Sequence, residues 1–148
     1  MTDWDAAIEA SSRVASWLAG GAFVAAAGLH VGWAYGSSFP FGNRETMSRT
    51  VVGLPEKEFP GKGMALLVAG ACAAGAACTL SRWRFGSRVT GALMAWRAVV
   101  GFTMTDILPA GPDPAFARMN RYTYSPACLG VGLLAWRAPR KKRRKSGK

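Results

Sequence analysis

Two stretches of this chain are free of charge for long enough to cross a bilayer, and that segregation constrains its fold more than any other feature. Between Arg13 and Arg44 there is no Lys, Arg, Asp or Glu; the same holds between Lys62 and Arg82, and between Arg121 and Arg137. A hydrocarbon core about 30 Å thick is crossed by about 20 mainly apolar helical residues, a length that residues 14–36 and 63–81 meet. Helices of a soluble bundle would each carry a charged face at a 3.6-residue period, and these segments have none. Hydrophobic residues are 50% of the chain, a share that soluble domains also reach, so their distribution carries the argument and the average does not.

The remaining signals divide the chain. Residues 1–13 form a polar, mildly acidic segment in which Trp4 and Ile8 are spaced for one face of a short interfacial helix. Asp3, Asp5 and Glu9 against Arg13 are the wrong sign for a cleaved signal peptide. A transmembrane domain is expected over 14–137, with spans at about 14–36, 62–81, 89–108 and 122–137, and a polybasic tail over 138–148. The expected fold class is all-α: a polytopic integral membrane protein built as a four-helix transmembrane bundle. Pro40, Pro55 and Pro60 with Gly42, Gly53 and Gly61 make 37–61 a loop with no long helix. Pro109, Gly111, Pro112 and Pro114 stop the third span, and Pro126 falls in the first turn of the fourth, where a proline is tolerated. Gly28, Gly32 and Gly36 repeat every four residues, as do Ala69, Ala73 and Ala77, and such stripes are expected to serve helix packing.

Charge sets the expected orientation. The turn between the second and third spans carries Arg82, Arg84 and Arg88 without an acid, and Arg137–Lys148 holds eight of the nineteen basic residues. The first loop mixes Arg44, Arg49, Lys57 and Lys62 with Glu45, Glu56 and Glu58. The positive-inside rule therefore puts the central turn, the tail and, with an even number of spans, both termini in the cytoplasm. Arg140, Lys141, Lys142, Arg143, Arg144 and Lys145 are expected to contact anionic phospholipid, and nucleic acid is not an expected partner. Trp17 and Trp136 fit the inner boundary; Trp33, Tyr35, Tyr122 and Tyr124 fit the outer one. The Ala/Gly/Arg-rich composition points to a bacterial source, hence a multi-pass protein of the bacterial cell membrane.

Polar residues inside spans usually face the bundle and find partners there. At 1.5 Å per residue, His30 is expected about 9 Å below the outer boundary, Thr103 about 7 Å, Asp106 about 3 Å and Arg97 about 16 Å. Tyr124 and Ser125 open the fourth span at the outer level, and His30 and Trp33, three apart, share a helix face. Arg97 and Asp106 are nine apart and cannot pair directly. For Arg97 the residues leave three readings open: snorkelling toward the basic inner turn, a bond to neighbouring carbonyls, or binding of an anionic or polar ligand. His30, the lone histidine, excludes a bis-histidine haem, and no clustered Cys, Asp or Glu offers a metal site. Cys72, Cys78 and Cys128 sit in apolar segments as inert thiols, and no cofactor is expected.

His30-Val31-Gly32-Trp33-Ala34-Tyr35-Gly36 reads H-x-x-W-x-x-G, Arg97 precedes Gly101-Phe102, and Arg118-Met119-Asn120-Arg121 precedes Tyr124-Ser125-Pro126-Ala127-Cys128. In that order the motifs resemble a family of small four-helix bacterial membrane proteins catalogued only as a domain of unknown function. The resemblance covers about residues 25–134 and implies fold and location, with no reaction. The family pattern leads one to expect Asp where Asn120 stands and a glycine nearer to Arg97 than Gly101. The preferred functional expectation is a non-enzymatic membrane protein that binds a lipid-like or amphipathic ligand, or serves as an accessory subunit. His30, Trp33, Arg97, Thr103, Asp106, Asn120 and Tyr124 are its candidate polar site. The alternatives are a membrane-embedded enzyme acting on a lipid or quinone, with His30 or Asp106 as acid or base, and an oligomeric small transporter. Expected partners are the lipid bilayer and a second copy or another membrane protein.

Overall fold

Every regular element among the described residues is helical. A computed structural model describes residues 3–55, 60–81, 83–103 and 113–137; Asp106 and the basic residues Arg140 to Lys145 lie outside them. Helix α1 covers Asp3–Ala34, and α2 covers Arg44–Met47 and runs into a π-helical turn, Ser48–Val52. Helices α3 (Lys62–Leu80) and α4 (Arg84–Thr103) follow. Helix α5 (Pro114–Met119) continues through a second π-helical turn, Asn120–Tyr124, into α6 (Ser125–Trp136). Of these, α1 and α3 are long and apolar enough to cross a membrane by length and composition.

Three boundaries differ from the sequence reading. No break separates residues 3–13 from the rest of α1, because 6–12 hold neither Gly nor Pro and the helix propagates through them. Helix α4 starts at Arg84, ahead of the expected 89. The last helical run starts at Pro114 instead of 122. Asp113 caps it, its carboxylate accepting the Ala115 N–H at 2.9 Å, and Pro114 in the first turn has no N–H to waste. Farther on, Pro126 removes one donor from the ladder, and just before it the helix widens so that the Ser125 N–H bonds to the Asn120 carbonyl.

The four long runs pack as antiparallel neighbours. Along α1 and α3, Lys62 Nζ sits 4.2 Å from the Tyr35 ring centre, Phe23 lies against Gly75, and Leu80 against Gly20. Along α4 and α6, Gly91 faces Gly132 and Gly101 faces Ser125. A tight turn joins α3 to α4, where the Ser87 hydroxyl donates to the Cys78 carbonyl at 2.9 Å, and α6 also packs on α1. The start of α1, the end of α3, the start of α4 and the end of α6 thus share one end of the molecule. At the other end the π turn Ser48–Val52 packs on α5, the Asp113 N–H donates to the Gly53 carbonyl at 3.3 Å, and Met47 and Ser48 are fully buried.

Apart from Phe23, Trp33 and Met47, the interior of the described residues is made of small and polar side chains. Ala15, Ala19, Ala65, Ala69, Ala76, Ala98 and Ala135 are buried with Ser16, Thr79, Ser87, Asn120 and Ser125. Among the described residues no Leu, Ile or Val is buried, whereas Trp17, Leu67, Phe85, Leu93, Trp96 and Leu133 point outward, each more than half exposed. The buried face of α3 runs through Ala65, Ala69, Gly75, Ala76 and Thr79, and Ala73 and Ala77 are exposed. A four-residue repeat drifts about 40° per step around a 3.6-residue helix, so the Ala69/Ala73/Ala77 stripe leaves the contact after its first member.

Candidate functional site

Polar groups gather at two places in the loop-bearing half of the molecule. The first is the end of α1. His30 and Trp33 stack with ring centres 4.8 Å apart, and Phe41 of the loop adds a second ring 6.4 Å from Trp33. The indole N–H of Trp33 donates to the Phe39 carbonyl at 2.8 Å, which ties the loop back over the helix. Nδ1 of His30 lies 2.8 Å from the Ala26 carbonyl, so Nδ1 carries the proton and Nε2 is the basic nitrogen. Beside this group runs a groove of about 400 Å³ lined by Ala25, Gly28, Leu29, Gly32, Trp33, Ser37 and Phe39. Among the described residues a methyl group on Gly28 or Gly36 would meet no atom within 4 Å, so these two glycines pack against no helix there, and Gly32 faces Ser37 alone. Gly36 has a second role, ending α1 with φ +94°, in the left-handed region that favours glycine.

The second place is the junction of α4 with the π turn Asn120–Tyr124. Arg97 Nη2 donates to Asn120 Oδ1 at 2.9 Å, and Asn120 Nδ2 donates to the Gly101 carbonyl at 2.7 Å. Asn120 is 2% exposed and Ser125 is wholly buried. The Arg97 side chain therefore runs toward Gly101 and the loop end, away from Arg84 and Arg88 at the start of α4, opposite to the snorkelling reading. A methyl group on Gly101 would lie 2.6 Å from Arg97 Nη1 and 3.1 Å from Asn120 Oδ1, and would overlap Ser125 Oγ. Glycine at 101 is what lets an arginine, an amide and a hydroxyl converge on one point of α4. The Ser125 and Tyr124 hydroxyls are both buried without a hydrogen-bond partner.

The expected site is thus two groups, His30 with Trp33 and Arg97 with Asn120, with Tyr124 beside the second on the π turn. Thr103 belongs to neither: it is exposed and its hydroxyl bonds back to the Val99 carbonyl at 3.0 Å. Gly101 holds a position in the second group that the sequence reading did not give it, and its signal is the spacing Arg97-x-x-x-Gly101, which puts the two on one face of α4. Ser125, expected at the outer level beside Tyr124, joins the same group. Among the described residues no three His, Cys, Asp or Glu side chains cluster as metal ligands would, and no carboxylate pairs with Arg97.

A family model described as a protein of unknown function, DUF3995, matches residues 23–135. No curated protein and no solved structure matches the chain. The matched span takes in both polar groups.

Proposed function

We propose, for a chain that belongs to the DUF3995 family of proteins of unknown function, a four-span integral membrane protein that binds a lipid-like, amphipathic ligand and catalyses no reaction. One observation carries the membrane reading: apart from Phe23, Trp33 and Met47 the described residues bury small or polar side chains, while every Leu and Val and most Phe and Trp among them stay at least partly exposed. In water that arrangement would expose large apolar patches, which soluble monomers rarely do. In lipid it is the expected one, since tails are as apolar as leucine and helices associate through close backbone approach and hydrogen bonds. At about 1.5 Å per residue, α3, α4 and the Pro114–Trp136 run each reach about 30 Å, the thickness of a bilayer core.

Arg82, Arg84 and Arg88 between the second and third spans, with the basic tail, support cytoplasmic termini, with the tail on anionic phospholipid and the α2–α5 end outside. The groove beside Trp33 supports binding: its wall is apolar, it opens on the side of α1, and His30 stands at the Trp33 end.

The test is topological. In a chain whose native cysteines are replaced by alanine, Thr46→Cys should react with a membrane-impermeant maleimide in intact cells, and Arg84→Cys only after lysis. Release of the protein by alkaline carbonate, or labelling of both positions from one side, would sink the four-span reading. Native mass spectrometry with lipid extraction tests the binding reading, which expects a stoichiometric amphiphile.

A further inference from the structure

We propose that the junction of α4 with the π turn is a binding site for an anionic oxygen group, a phosphate or carboxylate, held by Arg97 and Ser125 over Gly101. This assigns a headgroup chemistry to the ligand and rests on the binding reading above. The half-buried Arg97 guanidinium has five N–H donors and, among the described residues, makes one hydrogen bond, to Asn120. That bond occupies Asn120 Oδ1, and Asn120 Nδ2 is committed to the Gly101 carbonyl. The amide spends its oxygen on Arg97 and one of its two N–H donors on Gly101, so among the described residues the valences left at the junction are its second N–H, the remaining Arg97 N–H groups and the buried, unpartnered hydroxyls of Ser125 and Tyr124. Positive charge with donors, and no competing carboxylate among the described residues, selects an acceptor-rich anion, and guanidinium geometry matches phosphate and carboxylate oxygens. The site is built for polarity: Gly101 removes the one side chain that would separate Arg97 Nη1 from Ser125 Oγ. Asn120 is neutral, so among the described residues it leaves the arginine's charge uncompensated. An arginine held only as packing glue would be better served by the carboxylate.

The experiment is native mass spectrometry of the full chain in neutral detergent, titrated separately with dimyristoyl phosphatidic acid, dimyristoyl phosphatidylcholine and inorganic phosphate. The basic tail is the same in every variant, so differences between variants belong to the junction. Wild type should retain phosphatidic acid more tightly than phosphatidylcholine. Ser125→Ala should weaken the phosphatidic acid adduct by about tenfold, the equivalent of about 1.4 kcal/mol, without loss of folded protein, because its hydroxyl has no partner to lose. Asn120→Asp, which supplies an internal counter-charge, should abolish the preference for the anionic lipid. Retention of inorganic phosphate with the same response to the variants would name a free anion as the source; retention of the lipid alone names a headgroup. Equal retention by wild type, Ser125→Ala and Asn120→Asp overturns the proposal even if Arg97→Met fails to fold. A chain that stays monodisperse without detergent would defeat the membrane reading instead, and the phosphate titration would still decide the anion site.

Discussion

Gly91 and Gly132 face each other across α4 and α6 so closely that a methyl group on Gly91 would lie 2.9 Å from the Gly132 carbonyl oxygen, and one on Gly132 would lie 3.0 Å from that of Gly91. The atoms in the way are backbone, which has no rotamer to retreat into.

Gly91→Ala should therefore destabilise the protein by about 1–3 kcal/mol, the range for overpacking a well-packed contact. Gly28→Ala, with nothing near it, should stay within about 0.5 kcal/mol of wild type. Thermal unfolding in detergent, followed by circular dichroism, separates the two. If the bulkier Gly28→Leu keeps its stability but changes the oligomeric state, the open face of α1 belongs to a second copy. If it loses a retained amphiphile instead, the face belongs to the groove.

Asn120 links α4 to the last helical run through two hydrogen bonds. Asn120→Ala removes the acceptor of Arg97 and the donor to Gly101, and should cost about 3 kcal/mol, because one of the two bonds involves a charged group. Asn120→Asp keeps the acceptor, adds an opposite charge and loses the bond to Gly101, so its unfolding midpoint should fall nearer to wild type. The reverse order would mean that the Gly101 bond, and not Arg97, holds the junction.

At the other end of α4, Ser87 is 1% exposed and its hydroxyl closes the α3–α4 turn on the Cys78 carbonyl. Ser87→Ala should lose about 1 kcal/mol, and Ser87→Thr, which keeps the hydroxyl, should fail for a different reason, crowding. Equal stability of Ser87→Ala and wild type would show that the turn is held by packing alone.

The Trp33 indole is the one side-chain donor to the Phe39 carbonyl among the described residues. Trp33→Phe keeps a ring against His30 and drops that bond. Hydrogen exchange at Phe39 to Asn43 should then quicken, while exchange in α3 stays as it was. Unchanged exchange in the loop would assign its order to the Met47 and Ser48 packing instead.

The helices were legible in the sequence wherever charge was absent over a long stretch, as between Arg13 and Arg44 and between Lys62 and Arg82. Their contact faces were not. The glycine and alanine repeats at 28, 32, 36 and 69, 73, 77 stood out because they recur every four residues, but a straight helix turns every 3.6, and the contacts follow Ala65, Ala69, Ala76 and Thr79. Pro114 reads with Pro109, Gly111 and Pro112 as the stop of the third span, although a proline preceded by an aspartate is also a helix start, and here Asp113 caps α5. Arg97 and Asn120 were both candidates, yet their pairing spans 23 residues and a change of helical register, which no local pattern encodes.

That change of register has its own consequence. An ordinary α-helix fixes the rotation of every residue relative to every other, so the side chains facing α4 at Gly132 would dictate, several turns away, which residue faces Arg97. The wide turn at Asn120–Tyr124 inserts a phase slip of about 100°, one residue's worth, and cuts that dependence. The Pro114–Asn120 segment can be aimed by the Arg97 junction while the Gly132 segment is aimed by Gly91. Deleting one residue from 121–124 would restore a regular helix and turn Asn120 away from Arg97 while leaving the glycine crossing intact.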